Sequence, residues 1–557
     1  MSESSGRKLR IGLLVDRLEQ PAWVAQMLDL VARSDYAEIC LVVRNDAPFP
    51  AKDSRLRRLW RKRANLMFRV FEKLEKAYLN LEHDAFVPTD VNTLLNQKVV
   101  EHVTPRQTKF SDYIEPPDLA KLRSYDIDVF IRLGFRILRG EILNVARYGV
   151  WSFHHGDNLV NRGSPPGVWE VLENAPLTGS ILQILGEDLD NGEVLTRSWS
   201  ATDGTWPKRN RNKLYWRSLA MLPRQLQALH RDGEKRFFDR VAEENKSPLF
   251  YSRRLYVEPN NIEFIRGLLA VGGRYAYRKV AELIWREQWG LRFYLGEDFP
   301  AAIWKFKVIT PPKNCFWADP FVIHRDDKYY VYFENLPYAT NKGHLSMLTV
   351  DKNGDWSEPI KILDKPFHLS YPFLFEWEGE IYMMPEMSAN KRIDVYRCAR
   401  FPDQWEFHVT LMSNVHAVDA TLFENEGKWW MFVCLREYPG AVSGEDLFLF
   451  CADTPLSTAW KAHPMNPVVT DVRRARPAGN LIRRGGAIYR PSQDGAKRYG
   501  GAININRVVK LNEYEYIEEP VSRIEPKWQN NLLGTHTLNR AESFTIIDAE
   551  IRRLRWF

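Results

Sequence analysis

The segment WSFHHGDNLVNRGSPPGVWE, residues 151–170, concentrates side chains that can do chemistry. Two adjacent histidines, His154 and His155, supply imidazoles, whose ionisation near neutral pH suits proton transfer. Because successive residues of an extended chain face opposite sides, His155 either substitutes as a donor beside His154 or points away from it. Gly163 and the Pro-Pro pair after it predict a rigid turn at which the backbone approaches a ligand closely. Trp169 either stacks on a ligand ring or packs in the core.

A second set of candidate residues comes from a repeat in the second half of the chain. Four segments align with one another, each with the pattern of a strand, a polar turn and a second strand: 318–334, 370–386, 418–434 and, more loosely, 476–494. Their period of roughly 50 residues is that of a four-stranded propeller blade. With the strand-rich tail 502–557 they predict five blades. The stretch IWKFKVIT (303–310) is expected to pair with the C-terminal strands and close the ring.

The repeat sets carboxylates at equivalent positions. Asp319 and Asp419 fall at the start of the innermost strand, and Glu334 and Glu386 fall at the end of the second strand, so repetition directs them to one axis. An unpaired buried carboxylate is costly, so basic partners are expected nearby, and arginines there would also suit a phosphate or sugar nucleotide. The predicted sugar-binding residues are Glu334, Arg476, Arg490, Asp494 and His536. Two interpretations stay open: a pocket that binds or processes glycans, or salt bridges that join the blades.

The first half alternates strand-like and helix-like patterns. RIGLLVD (10–16), EICLVVRND (38–46) and DIDVFIRLGFRIL (126–138) are apolar runs typical of buried strands, and WVAQMLDLVARS after the first has apolar residues at helical spacing. A strand, a helix and a strand in this order predict a parallel sheet with crossover helices. No GxGxxG motif follows the first strand, so a dinucleotide fingerprint is absent.

Composition limits the possible functions. The chain has 557 residues, of which 45% are hydrophobic, and this length predicts two or three domains. A net charge of +7 is small for the length and does not indicate a nucleic-acid partner. Five scattered cysteines without a CxxC pair argue against a disulfide framework or a zinc site. Since no apolar run has the length of a membrane span or a signal sequence, a cytoplasmic protein is predicted.

Domain boundaries follow from the change in residue pattern along the chain. We predict an α/β domain over residues 1–245, a helical connector over 246–300 and an all-β propeller over 301–557. Residues 52–78 have a basic amphipathic pattern, which predicts a helix that either packs on its own domain or lies on an anionic membrane surface. A second basic helical region is predicted at 260–288.

Residues 126–195 resemble the formyltransferase family, which includes methionyl-tRNA formyltransferase, glycinamide ribonucleotide formyltransferase and the sugar N-formyltransferases. The strand DVFIRLGFRIL, His154, RGSPPGVW (162–169) and the loop GEDLDNGEVL (186–195) carry the likeness. The resemblance implies a Rossmann-like sheet, 10-formyltetrahydrofolate as the donor, and an Asn-His-Asp catalytic set. By position, His154 and Asp190 match the last two, whereas the Asn position holds Ser152.

The departure at Ser152 bears directly on the implied mechanism. A short hydroxyl reaches the oxyanion of the tetrahedral intermediate only through a water or a shifted substrate, and losing one such donor costs roughly 10²- to 10³-fold in rate. Asp190 would hold His154 charged and help to take the proton from the amine. The resemblance also assigns binding of the folate donor to four residues: Leu133, Gly134, Phe135 and Gly163.

Residues from about 300 to 557 resemble the five-bladed glycosidase-like propellers, in particular the N-terminal domain of plant glucosamine inositolphosphorylceramide transferases. The motifs ADPF, YPFLFEWEG, YMMPE, DATLFENEG, YRPSQD and GTHTLN carry this likeness. In related propeller glycosidases, carboxylates from different blades serve as acid and as base or nucleophile. The resemblance therefore implies catalytic roles for Asp319, Glu386 and Asp419.

Together these observations predict a transferase of surface-glycan biosynthesis, such as that of lipopolysaccharide. The α/β domain would move a formyl group to an amino sugar or sugar nucleotide, and the propeller would bind or process the same glycan. Two alternatives stay open: a glycosyltransferase or glycoside hydrolase with catalysis in the propeller and a degenerate first domain, and a non-enzymatic adaptor for glycan or lipid surfaces. The expected location is cytoplasmic, with peripheral contact at an anionic inner membrane through residues 52–78.

Overall fold

The chain folds into two compact units. The computed structural model describes residues 6–48, 63–187, 192–248, 250–299 and 302–555. The units are Met1–Arg274 and Tyr275–Phe557, so the division falls inside the segment predicted as a helical connector.

The described part of the first unit combines short and long strands with helices. Its strands are β1 Leu9–Val15, β2 Glu19–Pro21, β3 Ala37–Asn45, β4 Pro88–Asp90, β5 Val99–Val103, β6 Arg106–Gln107, β7 Ser111–Tyr113, β8 Val129–Arg132, β9 Ile137–Arg139, β10 Val150–His154, β11 Leu177–Ile184 and β12 Glu193–Ala201. Its helices are α1 Ala22–Ala32, α2 Leu66–Tyr78, α3 Asn92–Leu95, α4 Pro116–Arg123, α5 Trp169–Leu172, α6 Pro207–Ser218 and α7 Met221–Glu244, and α8 Asn261–Ile284 begins in this unit.

The central sheet of the first unit has the order β12-β11-β10-β8-β1-β3-β5. Strands β10, β8, β1, β3 and β5 run parallel, whereas β11 and β12 are antiparallel additions at one edge. The predicted parallel sheet with crossover helices is therefore confirmed.

The apolar run 126–138, predicted as one strand, forms two strands. The run DIDVFIRLGFRIL forms β8, which ends at Arg132, and the separate β9, which begins at Ile137. Between them Phe135 adopts a left-handed φ of 61°, and Gly134 lies so close to β1 that a Cβ there would be 2.3 Å from the Asp16 nitrogen. The chain turns at this point because only glycine permits that approach.

Helix α2 contains the described part of the basic pattern predicted over 52–78, since residues 49–62 lie outside the described residues. Phe68 is buried and packs against Phe264 at a ring distance of 5.5 Å, so one side of the helix packs on its own unit. Four apolar side chains elsewhere on the helix are 44% to 50% exposed: Leu66, Met67, Val70 and Leu74. Contact of this helix with a membrane stays a prediction.

The second unit consists almost entirely of strands. They are β13 Trp285–Leu295, β14 Lys307–Ile309, β15 Cys315–Arg325, β16 Lys328–Pro337, β17 His344–Asp351, β18 Ile360–Leu363, β19 Ser370–Trp377, β20 Glu380–Glu386, β21 Arg392–Arg400, β22 Gln404–Ser413, β23 Ala417–Asn425, β24 Lys428–Leu435, β25 Leu447–Ala452, β26 Lys461–Ala462, β27 Ile482–Arg484, β28 Ala487–Asp494, β29 Ala502–Leu511, β30 Tyr516–Ile524, β31 Leu532–Gly534, β32 Leu538–Ala541 and β33 Phe544–Leu554.

The strands of this unit form successive antiparallel sheets. Four sheets have four strands each, in chain order: β15–β18, β19–β22, β23–β26 and β27–β30. A fifth sheet has the order β14-β13-β33-β31, and β32 pairs with β33. The first three aligned repeats each form the first two strands of one sheet, as the repeat predicted. Their apolar faces meet in a core that contains Phe321, Tyr332 and Met431.

The segment predicted to pair with the C-terminal strands, residues 303–310, is the wrong one. Strand β33 pairs with β13, from Trp285↔Leu554 to Leu295↔Phe544, whereas β14, within the predicted segment 303–310, pairs only with β13. Helix α8 correspondingly ends at Ile284 rather than at 288. The reason lies in WREQWGLRFYL, in which Leu291 and Phe293 alternate with more polar neighbours and are fully buried, as in a strand. Among the described helices, none combines the length and apolar content that crossing a bilayer requires.

Candidate functional site

Three side chains of the second unit share one unusual backbone geometry. Asp319, Tyr371 and Asp419 have left-handed φ values of 52°, 43° and 53°. Each lies where the register between the first two strands of its sheet shifts, which is a β-bulge. Left-handed backbone costs a non-glycine residue about 1–3 kcal/mol and persists where the surroundings hold it, often at functional sites. The two aspartates were predicted from the repeat, whereas Tyr371 was not, although it occupies the same position in the second repeat.

Asp319 is buried among hydrogen-bond donors. Thr537 Oγ1 donates to Asp319 Oδ1 at 2.8 Å, and the backbone N–H of Tyr371 donates to Oδ2 at 3.3 Å. Burial, together with the nearby carboxylates of Asp419 and Glu334, raises the pKa of Asp319 to about 7, although the imidazole of His536 opposes the shift. This carboxyl can therefore gain or release a proton near neutral pH.

His536 lies between two buried aspartates. Its Nδ1 is 2.6 Å from Asp548 Oδ2, and its Nε2 is 3.4 Å from Asp319 Oδ1. Burial alone would lower the pKa of His536, but Asp548 and Asp319 outweigh it and raise the pKa to about 9. The ring is held by Trp289, whose centroid is 4.1 Å away. His536 is thus an imidazolium at neutral pH.

The same three residues have the ligand types of a cation site, since their candidate ligand atoms lie within 4.8 Å of one another. Asp548, however, already accepts backbone N–H groups from His536, Thr537 and Asp319. The imidazolium also supplies the positive charge that two carboxylates need. The donor set therefore fits an Asp–His–Asp ion pair better than a metal ion.

Asp419 is held by an arginine that also faces Glu386. Arg476 donates to both oxygens of the Asp419 carboxylate, and its Nη2 lies 3.6 Å from Glu386 Oε2. Gln493 Nε2 donates to Asp419 Oδ2 at 2.9 Å. The ring of Tyr499 lies 4.9 Å from the guanidinium carbon of Arg476. Asp419 and Glu386 come from separate sheets and meet here, as the repeat predicted, and Arg476 supplies the basic partner that buried carboxylates were expected to need.

Glu386 is a carboxyl group that holds its proton more tightly than a carboxyl in water does. Burial and the adjacent Asp419 raise the pKa of Glu386 well above its ordinary value, and Arg476 offsets this only in part. The bidentate contact of Arg476 is with Asp419, and its contact with Glu386 is longer, so the arginine lowers the pKa of Glu386 less than a direct pair would. The side chain is 13% exposed, which leaves the acid accessible from outside. It can donate a proton to a bound molecule.

The partly exposed members define the open side of the cluster. Ala318 pairs with Glu334 and Ser370 pairs with Glu386, so the two glutamates are at equivalent positions beside their bulges. His368 Nε2 lies 3.1 Å from Glu334 Oε1, and this contact raises the pKa of His368. The His368 side chain is 40% exposed and Tyr499 is 52% exposed.

Two predicted sugar-binding residues belong to ion pairs within one sheet instead. Arg490 is buried and donates to both oxygens of Glu518 at 2.8 Å, and Asp494 pairs with Arg523. All four lie on β28 and β30. The counter-charges of Arg490 and Asp494 thus come from β30, two strands away in the same sheet. Contact of these two residues with a sugar stays a prediction.

In the first unit, β10 places His154 and Ser152 on one face of the sheet. His154 is the last residue of the strand, at the carboxyl edge where open parallel sheets bind ligands. Its Nε2 lies 3.2 Å from the Asn161 carbonyl oxygen. Ser152 Oγ accepts a hydrogen bond from Arg132 Nη1 at 3.1 Å, a neighbour that the sequence analysis missed although the β8–β10 register pairs the two residues. Asp190 lies outside the described residues.

His155 and Trp169 both pack within the unit, which is the alternative that the sequence left open for each of them. His155 stacks on Tyr215 at 3.8 Å and packs edge-on against Trp23 at 5.4 Å, and burial lowers its pKa to about 3. Trp169 is buried and donates from Nε1 to the Val257 carbonyl at 2.9 Å. Alternation along the extended strand sends His155 to the face opposite His154.

The backbone groups predicted to contact the folate donor are engaged within the fold. The N–H groups of Leu133 and Gly134 donate to the Leu14 carbonyl, and that of Phe135 donates to Asp16 Oδ1 at 2.8 Å. Gly163 is tight against other backbone, since a Cβ there would lie 2.0 Å from the Tyr256 carbonyl oxygen. The close approach inferred at Gly163 is therefore real, but its partner is the protein itself.

Comparison with known proteins finds similarity in both halves. The family described as "Glucosamine inositolphosphorylceramide transferase 1, N-terminal" matches residues 306–542. Glucosamine inositolphosphorylceramide transferase 1 of Oryza sativa subsp. japonica is 33% identical over 214 residues, which cover 38% of this chain and 28% of that protein. A methionyl-tRNA formyltransferase of Prochlorococcus marinus is 32% identical over 102 residues, 18% of this chain and 30% of that protein. These similarities confirm a formyltransferase-like segment in the first half and a segment like this transferase family in the second. The five-bladed form of the second half stays a prediction.

Similarity to solved structures is weaker. A family 117 glycoside hydrolase of the marine bacterium Zobellia galactanivorans aligns with this chain at 14% identity and a TM-score of 0.31. The aligned region covers 49% of this chain and 91% of the hydrolase chain. The chain spans less than a third of the length of the two curated relatives named above.

Proposed function

We propose that the protein is a transferase of glycan assembly, and that its second unit holds the sugar at the cluster of Asp319, Glu386, Asp419 and Arg476. The observation that carries the proposal is the convergence of Glu386, whose pKa is raised, and an arginine-paired aspartate around one guanidinium. A neutral carboxylic acid protonates the oxygen that leaves a sugar carbon, and a second carboxylate stabilises the positive charge that develops there. We take the five sheets to be the blades of a propeller whose first strands supply these groups.

Two further observations support this assignment. Asp319, with a pKa of about 7, can accept the proton of an attacking hydroxyl near neutral pH. The partly exposed ring of Tyr499 beside Arg476 suits the flat face of a sugar. The similarity of residues 306–542 to a protein named for glucosamine transfer makes an amino sugar the preferred class of substrate.

The proposal is tested by offering the purified protein a panel of amino-sugar glycosides, whose leaving alcohol oxygen needs a proton, together with oligosaccharide or glycolipid acceptors. The products are followed by mass spectrometry. Asp419→Asn should lower product formation by about 100-fold or more, because the charge that faces the reacting carbon is lost. Asp394→Asn is the matched control: Asp394 is a buried, arginine-paired aspartate of the same unit outside the cluster. Unchanged activity of the Asp419 variant would reject the second unit as the reaction centre.

A second candidate function is favoured by the arrangement in the first unit. His154 ends a parallel strand, and Arg132 brings guanidinium donors to the position where the formyltransferase pattern expects Asn and this chain has Ser152. We therefore also propose transfer of a formyl group from 10-formyltetrahydrofolate to an amino sugar, with His154 as the proton acceptor and Arg132 facing the oxyanion. The similarity to methionyl-tRNA formyltransferase supports this site.

Formyl transfer is measured by the release of tetrahydrofolate in the presence of amino-sugar nucleotides. His154→Ala should lower the release by roughly 10²- to 10⁴-fold, the usual contribution of a general base. His102→Ala is the control, because His102 is an exposed histidine of the same unit paired with Asp46. Absence of release by the wild-type protein across a broad panel would eliminate this candidate while leaving the second-unit site untouched.

A further inference from the structure

The second unit contains a cavity of about 510 Å³ that shares no residue with the carboxylate cluster. Its walls come from the last turns of α8, the start of β13, the residue after β16 and the C-terminal end of β33. The volume lies within the range of sites that bind small molecules.

The charge of this cavity is strongly positive. Four of its lining residues are arginines: Arg278, Arg286, Arg552 and Arg555. The two lining carboxylates are shared with cations outside the lining, because Glu282 accepts from Lys279 at 2.7 Å and Glu287 accepts from Arg498 at 3.0 Å. Their contacts with lining arginines are longer, at 3.7 Å from Glu282 to Arg278 and 3.5 Å from Glu287 to Arg552.

The count of charges around the cavity shows the excess. Arg498 also pairs with Glu550, so the lining residues and these ion-pair partners together comprise six cationic side chains and three carboxylates. An anionic ligand would balance the difference.

Aromatic rings hold two of the arginines in place. The guanidinium carbon of Arg286 lies 4.4 Å from the centroid of the Tyr338 ring, and that of Arg552 lies 5.6 Å from the centroid of the Trp285 ring. Arg286 also donates to the Lys313 carbonyl at 3.3 Å. Such contacts reduce the conformational freedom that a guanidinium loses on binding a ligand. The ring of Tyr277, another lining residue, is 63% exposed.

These features select the class of ligand. Arginine forks pair with phosphate oxygens through two parallel hydrogen bonds, and an exposed aromatic ring stacks on a planar base. From the geometry we infer that this cavity binds a nucleoside diphosphate, with the diphosphate on the arginines and the base on Tyr277. The inference goes beyond the proposed sugar reaction and does not depend on it.

The inference is tested by calorimetric titration of the full-length protein with UDP, ADP and GDP as probes, and with pyrophosphate and uridine as partial probes. We expect at least one nucleoside diphosphate to bind more tightly than both partial probes, and more weakly as ionic strength rises. Pyrophosphate binding as tightly as the best nucleotide would overturn the role of the base. Failure of all three nucleotides to bind would overturn the site.

Variants locate the binding. The double variant Arg286→Gln/Arg552→Gln should weaken nucleotide binding at least tenfold, and Arg278→Gln, at a 58% exposed side chain, should weaken it without risk to the fold. Arg507→Gln removes an exposed arginine of the same unit outside the cavity and should change nothing. Nucleotide binding that survives both cavity variants would assign the ligand elsewhere. Glu386→Gln should still bind nucleotide, so failure of the sugar reaction and failure of this inference are distinguishable.

Discussion

Glu386→Gln is expected to lower the rate of sugar transfer by about 10²- to 10⁴-fold, the contribution of a general acid. Glutamine has the same size and can keep the neighbouring contacts, but it has no proton to give to the leaving oxygen. Glu380→Gln, at an exposed glutamate that begins the same strand, is the matched control and should leave the rate unchanged.

The pH dependence gives this prediction its sharpest test. Because the pKa of Glu386 is raised, the wild-type acid is present below that pKa and activity falls as pH rises through it. Asp319 as the base must be ionised, so activity also falls as pH drops through about 7. The profile of kcat/KM should therefore be bell-shaped, and Glu386→Gln should lose the alkaline limb.

A donor with a fluoride leaving group supplies a second readout, because fluoride departs with little help from an acid. The Glu386 variant should be restored towards the wild-type rate with such a donor. An alkaline limb that persists in the variant, or a rate within about twofold of wild type with the ordinary donor, would exclude Glu386 as the acid.

Arg490→Met is expected to lower the free energy of unfolding of the second unit by about 3–5 kcal/mol. The substitution leaves Glu518 buried without the two hydrogen bonds that it receives from Arg490. Replacing both partners, as in Arg490→Met/Glu518→Leu, should recover most of the loss, because no uncompensated charge then remains.

Denaturant unfolding followed by tryptophan fluorescence measures this effect, with the transitions of the two units fitted separately. Arg507→Gln breaks an exposed pair with Glu519 and should cost less than about 1 kcal/mol. If Arg490→Met unfolds like the wild type but no longer binds sugar, Arg490 is a substrate residue after all.

The features that the sequence determined by itself are those that depend on residue periodicity or on a local pattern. Alternation of apolar runs predicts the parallel sheet of β1, β3 and β8, because burial on both faces leaves a continuous apolar stretch. The repeat predicts that Asp319 and Asp419 are equivalent, since residues at one position of a repeated unit must take one position in the fold. Glu334 and Glu386 each lie beside the bulge of their own sheet, and this equivalence follows from the same repeat.

What only the tertiary structure decided depends on contacts between distant parts of the chain. The sequence marks Glu386 and Asp319 as candidate carboxylates, but their proton affinities follow from Asp419, His536 and the burial that separate strands impose. Arg490 reads as a ligand in the sequence, but its counter-charge lies 28 residues further along the chain. The start of β13 was predicted as part of a helix, because the strand that pairs with it, β33, is at the other end of the unit. Burial and electrostatic partners arise only when such segments meet, and a local pattern does not record them.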